Sequence, residues 1–192
     1  MKNAIIIHGK PSKEIYYSDK FPPSSNFAWI PWIQKQLIVR DVKADAPEMP
    51  HAYEPDYDLW RTEFERFDIT SFTTLIGHSA GGGFLIRWLS ENRDARVGKL
   101  VLVAPSIDPF KESVTGFCDF DIDPHLRERT EECVILASDN DSQNISRSVE
   151  ALRNAIAGVR IEILPGYGHF IPEHMGRIEF PELLAEVVEI SA

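Results

Sequence analysis

Thr73-Thr74-Leu75-Ile76-Gly77-His78-Ser79-Ala80-Gly81-Gly82-Gly83-Phe84-Leu85-Ile86-Arg87-Trp88-Leu89 is the stretch that decides the fold. Residues 73–77 form a short apolar, β-branched run, and residues 84–89 have helical spacing. Between them Gly77-His78-Ser79-Ala80-Gly81 satisfies G-x-S-x-G in the strand-turn-helix context that the pattern requires. The reason is steric. A serine on a sharp, strained turn projects its hydroxyl above a sheet, and only residues without side chains fit on either side of that turn. Gly82 and Gly83 extend the crowded region, so a helix can begin at once with its positive end toward any developing oxyanion.

Similar apolar runs recur at 4–7, 42–45, 99–103, 133–137 and 160–164, rich in Ile, Val and Leu and read as strands buried on both faces. Helical spacing occupies 29–38, 59–67, 145–156 and 183–190. Within 145–156, Ile145, Val149, Leu152 and Ile156 make one stripe that can lie on a sheet, with Ser142 or Asn144 as the cap. Strand and helix therefore alternate, which predicts an open, doubly wound α/β sheet with its ligand crevice beyond the carboxyl ends of the strands. Residues 104–132, with Pro105, Pro109 and Pro124 and no long helical stripe, break the alternation and read as a small insertion over the site.

The 192 residues fit one domain, 1–192, with no internal repeat or linker. Against 20 basic residues stand 30 acidic ones, a formal charge of −10, and no basic patch is visible. Such a chain repels phosphate backbones and anionic surfaces, so neither a nucleic-acid nor a membrane partner is expected. The apolar run at 4–7 is too short for a signal peptide or a span. Cys118 and Cys133 allow at most a single bridge and no four-cysteine zinc site, so a reducing, cytoplasmic setting is the simplest.

A serine hydroxyl needs a base, and the base needs a carboxylate to fix its tautomer and stabilise the imidazolium. In this fold class the order along the chain is serine, acid, histidine. Ser138-Asp139-Asn140-Asp141-Ser142 follows one predicted strand, and Pro165-Gly166-Tyr167-Gly168-His169-Phe170 follows the next. His169 is thus the expected base. Asp139 and Asp141 compete as the acid; Asp141, farther into the loop, is preferred, leaving Asp139 to cap its own turn. The oxyanion hole is expected from the amide of Ala80 and a second amide in His8-Gly9-Lys10, with Lys10 as that donor.

The remaining histidines are weaker candidates: His78 packs beside the nucleophile, and His51 and His174 are exposed. Asp119, Asp121, Asp123 and His125 invite a calcium reading, but Pro124 and Thr130 stand where an EF-hand loop from Asp119 needs glycine and glutamate. That cluster is expected to be a solvated loop, with no metal bound. Tyr16, Tyr17, Phe21, Pro22 and Pro23 either line an acyl pocket or cover the edge of the core.

His8-Gly9, residues 77–83, 138–141 and 166–170 together resemble the small serine hydrolases of the retinoblastoma-binding-protein-9 (YdeN-like) family, nearly end to end. The resemblance implies a three-layer α/β/α-hydrolase core with six parallel strands in the order 2-1-3-4-5-6 and no large cap. It also implies a Ser-Asp-His triad, falling on Ser79, Asp141 and His169. The expected activity is that of a serine hydrolase on a small ester, thioester or amide, through an acyl-enzyme and with no cofactor. The alternative is a protein-interaction module on the same fold, with a protein partner and little turnover.

Overall fold

The computed structural model describes residues 2–112 and 114–188. Six parallel strands form one sheet in the order β2-β1-β3-β4-β5-β6. They are β1 Asn3–Ile7, β2 Lys43–Asp45, β3 Thr73–His78, β4 Val97–Val103, β5 Thr130–Ala137 and β6 Arg160–Ile163. The helices are α1 Lys13–Tyr16, α2 Ile30–Ile38, α3 Tyr57–Phe64, α4 Ala80–Glu91, α5 Gln143–Ala155, α6 Pro172–Met175 and α7 Pro181–Val187. On one face α2 packs against α7, β1 and β2; on the other α3 packs against α4, which lies on β3.

Helices on both faces explain why the central strands are continuous apolar runs rather than alternating ones. Every residue of β1 is buried, as is every residue of β4 except the half-buried Lys99. The edge strand β6 instead carries Arg160 and Glu162, and charges on an edge discourage further pairing. Ser142 caps α5, accepting from the Ile145 amide at 3.4 Å, and Ile145, Val149 and Leu152 are its buried stripe.

Several element bounds shift, among them the helix expected over 59–67, which is found at Tyr57–Phe64. Helix α4 begins at Ala80, directly after the turn and four residues before the helical spacing at 84–89, because Gly81 to Gly83 enter the helix through close packing that no hydrophobic periodicity reveals. Strand β5 begins at Thr130 because Thr130 pairs with Val97 across the sheet. The helix expected over 183–190 starts at Pro181 and is helical to Val187; residues 189 and 190 lie outside the described residues.

The insertion is tied to the body by Arg129, which corrects the expectation of a solvated Asp119–His125 loop at Asp123, while Asp121 and His125 are exposed as expected. Arg129 and Asp123 are both buried and pair at 2.6 Å, and the guanidinium also donates to the carbonyls of Leu89, Asn92 and Ala95 at the end of α4. A buried cation closing a helix C-terminus complements the helix dipole, and the carboxylate balances its charge. Among the described residues, no group of three or more His, Cys, Asp or Glu side chains could hold a metal ion, no helix is long and apolar enough to cross a membrane, and Cys118 and Cys133 are free.

Candidate active site

Ser79 sits at the β3–α4 turn with φ 52° and ψ −118°, a conformation that costs about 1–3 kcal/mol and needs its surroundings to enforce it. Main-chain bonds do so: the Ser79 amide donates to Val103 O at 2.9 Å, and the Ser106 and Gly82 amides donate to Ser79 O at 3.0 Å. Close approach dictates the flanking glycines. A Cβ on Gly77 would lie 2.7 Å from the Gly82 main chain, and one on Gly81 would lie 2.3 Å from Ile7 O.

The structure brings the expected base and acid to this serine. His169 Nε2 lies 3.0 Å from Ser79 Oγ, and His169 Nδ1 lies 2.9 Å from Asp141 Oδ2. The carboxylate is almost wholly buried, whereas the imidazole is partly open to solvent. Since a carboxylate only accepts, Nδ1 carries the proton and Nε2 presents its lone pair to the serine hydroxyl.

The competing aspartate has a different task. Asp139 does not cap its own turn; its Oδ1 accepts from the Gly166 amide at 2.8 Å, in the loop that carries His169. Ser138 Oγ accepts from the Tyr167 amide at 3.0 Å and donates to Asn140 Oδ1 at 2.7 Å, and Asn140 Oδ1 accepts from the Gly168 amide at 2.7 Å. The loops after β5 and β6 are thus joined residue by residue. Side chains that accept from a main chain 27 to 29 residues away do this, a signal that local sequence rules do not contain.

Two further histidines hold His169 itself. His78, buried beside it, donates from Nε2 to His169 O at 2.9 Å, and its ring lies 5.1 Å from the His169 ring. Burial, with the neighbouring His169 acting the same way, pushes the His78 pKa down to about 3, so this ring is neutral. His174, expected as a plain surface residue, is exposed on α6, but its Nδ1 accepts from the His169 amide at 2.9 Å.

Two cavities lie beside the β3–α4 turn and meet at Ser106 and Asn144. One, of about 390 Å³, is lined by Ser79, Asp141, Asn144, Ile145, His169 and His174 among others. The second, about 220 Å³, has Lys10, Ala80, Ser106, Asp108, Phe117 and Cys118 in its wall. Ser106 and Asn144 line both and are joined at 3.3 Å. The sequence marks Asn144 only as a possible helix cap and does not single out Ser106. The insertion therefore does wall the site.

Lys10 and Ala80 face the same small cavity, and Gly9 lies so near Ser79 that a Cβ on it would sit 3.1 Å from the serine Cβ. His8 secures this loop, donating from Nδ1 to Gly9 O at 2.8 Å and accepting at Nε2 from the Met49 amide at 2.9 Å. The aromatic loop lies apart from both cavities. Tyr16, Tyr17 and Tyr53 pack on one another; Tyr16 touches the core, while Tyr17 and Phe21 are exposed. A larger hollow, about 660 Å³, lies near Lys2, Phe72 and Gly98, away from Ser79.

A six-stranded parallel sheet carrying a strained serine at the first turn after its third strand defines an α/β-hydrolase fold. The crystal structure of the ydeN gene product of B. subtilis matches with a TM-score of 0.80 at 24% identity, over 97% of each chain. Est1E of Butyrivibrio proteoclasticus, solved with ferulic acid bound, matches with a TM-score of 0.64 at 16% identity, over 97% of this chain and 88% of its own. In sequence, YdeN of Bacillus subtilis (strain 168) is 26% identical over 171 residues, 84% of this chain and 88% of YdeN. The serine hydrolase family model matches residues 21–187, so the chain belongs to the serine hydrolase family and is an enzyme.

Proposed function

We propose that the protein hydrolyses small carboxylic esters through a Ser-His-Asp triad and an acyl-enzyme on Ser79. The observation that carries this reading is the unbroken run from Ser79 Oγ to His169 Nε2 at 3.0 Å and from His169 Nδ1 to Asp141 Oδ2 at 2.9 Å. Ser79 Oγ attacks the carbonyl carbon while His169 takes its proton, and the amides of Ala80 and Lys10 hold the oxyanion. His169 then returns the proton to the leaving alcohol. Water, activated by the same imidazole, releases the acid and restores the serine. Asp141 remains a carboxylate throughout and steadies the imidazolium. None of these steps calls on a metal or an organic cofactor.

The small size of the two cavities supports short acyl groups over long chains. An ester substrate is supported by the structural neighbour holding ferulic acid, a carboxylic acid of the kind that ester hydrolysis releases. Two free thiols suit the reducing, cytoplasmic setting that belongs to the same proposal.

A fluorophosphonate probe tests the reading. Intact-mass and peptide analysis should show one adduct, on Ser79, absent from Ser79→Ala. No adduct on folded wild-type protein, or equal labelling of the variant, would refute it. In a series of p-nitrophenyl esters, a strong preference for long acyl chains would overturn the size argument.

A further inference from the structure

We infer that His174 and His78 are positioning residues that grip the catalytic base by its main chain, His174 through Nδ1 and His78 through Nε2. This rests on the role of His169 proposed above. His169 lies between Gly168, with φ 52°, and Phe170, with φ 56°, so two left-handed residues bracket it. In such a loop the direction of the imidazole follows the orientation of its two peptide groups. Each of these groups has an imidazole partner: His169 N–H donates to His174 Nδ1 at 2.9 Å, and His169 O accepts from His78 Nε2 at 2.9 Å.

The geometry also dictates the state of both rings. An amide donor requires a lone pair on His174 Nδ1, which puts the proton of the neutral ring on Nε2. A carbonyl acceptor requires the proton on His78 Nε2. The fit at His174 is close enough to exclude any side chain on Gly168, where a Cβ would come within 2.5 Å of His174 Nδ1. His78 is locked from behind by the Trp29 ring, with centroids 5.6 Å apart. His174 comes from α6 and His78 from the end of β3, so the base is held between two independent elements.

The two contacts call for opposite replacements. Asparagine places Oδ1 where a histidine has Nδ1, and glutamine places its amide nitrogen near the position of Nε2. At 174, Asn should therefore keep the contact and Gln should lose it; at 78, Gln should keep it and Asn should lose it. Misplacing a catalytic group by about 1 Å can cost on the order of 100-fold. Hence His174→Ala, His174→Gln and His78→Asn should lower kcat and the rate of fluorophosphonate labelling roughly 10- to 100-fold with little change in KM, while His174→Asn and His78→Gln stay within about threefold of wild type.

The measurements are the ester kcat and KM, the labelling rate at Ser79, and circular dichroism with a melting curve for each variant. Wild-type rates in His174→Ala, or Asn and Gln behaving alike at either position, would overturn the inference. A variant that fails to fold is excluded by its melt, and the remaining Asn and Gln pair decides. Wild-type protein that fails to label at all refutes the triad reading instead, which keeps the two failures apart.

Discussion

Acidification to about pH 5 should destabilise this protein well before its carboxylates titrate, because folding buries His8 and His78 in neutral form. Burial is the leading cause at both sites; it outweighs Glu48 and Gly9 O at His8, and at His78 it brings the pKa from the ordinary 6.5 to about 3. For a group whose folded pKa is depressed, the unfolded chain binds the proton more readily, so stability is complete above about pH 6.5 and is lost as pH falls toward the folded value. At pH 5 the His78 contribution amounts to about 2 kcal/mol relative to pH 7.5, a large part of a typical 5–15 kcal/mol. His8 acts in the same direction, since protonated Nε2 would confront the Met49 amide donor to donor. His125 opposes them, its pKa raised first by its hydrogen bond to Glu128, but that pair is exposed and screened. The assay is urea unfolding at about pH 7.5, 6 and 5, followed by tryptophan fluorescence, with the midpoint and slope compared. His78→Gln keeps the hydrogen bond but cannot titrate, so it should recover about 2 kcal/mol of the acid loss. Equal or greater stability at pH 5, or an unchanged pH dependence in His78→Gln, would refute the reasoning.

Gly81→Ala should destabilise by about 1–3 kcal/mol and impair turnover, because its methyl group meets main chain rather than a movable side chain; urea unfolding reads the first effect and ester hydrolysis the second. Arg129→Met leaves Asp123 buried and unpaired, so a loss of about 3–5 kcal/mol is expected by calorimetry, with the double variant Arg129→Met/Asp123→Leu recovering part of it. Asp141→Asn should lower kcat on the order of 10⁴-fold by favouring the wrong imidazole tautomer. Asp139→Asn, which can still accept from the Gly166 amide, should leave kcat within about threefold; a larger effect would move the acid role toward Asp139.

Wherever a feature is stated by local spacing, the sequence could be read. The six apolar runs mark the six strands because a sheet covered on both faces needs side chains that tolerate burial on both. The glycines around Ser79 mark the turn because the approach of one backbone to another leaves no room for a Cβ. Four-residue helices such as α1 and α6 escaped, being too short to show a period. So did the roles of Asn140, Ser106, Asn144 and His174, each of which depends on where a distant loop comes to rest. Asp123 reads as part of a solvated loop, and its pairing with Arg129 six positions on exists only because folding buries the two together.

Adjacency of β5 and β6 is what turns two loops into a site. Ser138, Asp139 and Asn140 bind the amides of Tyr167, Gly166 and Gly168, and Asp141 meets His169 as the next contact in the series. Each of the first three bonds contributes about 0.5–1.5 kcal/mol net. Together they offset a part of the entropy of ordering the two loops, which costs about 1–2 kcal/mol per residue. The Asp141–His169 pair therefore closes between loops that three other bonds already tie together. Ser79 arrives from β3, two strands from β5, on a turn fixed by Val103 O and Ser106 N rather than by either loop. On this argument the acid–base pair can be loosened by a change at Asn140 while the nucleophile's turn stays intact. Damage at Asn140 should thus slow proton transfer to His169 and leave the conformation of Ser79 unaltered.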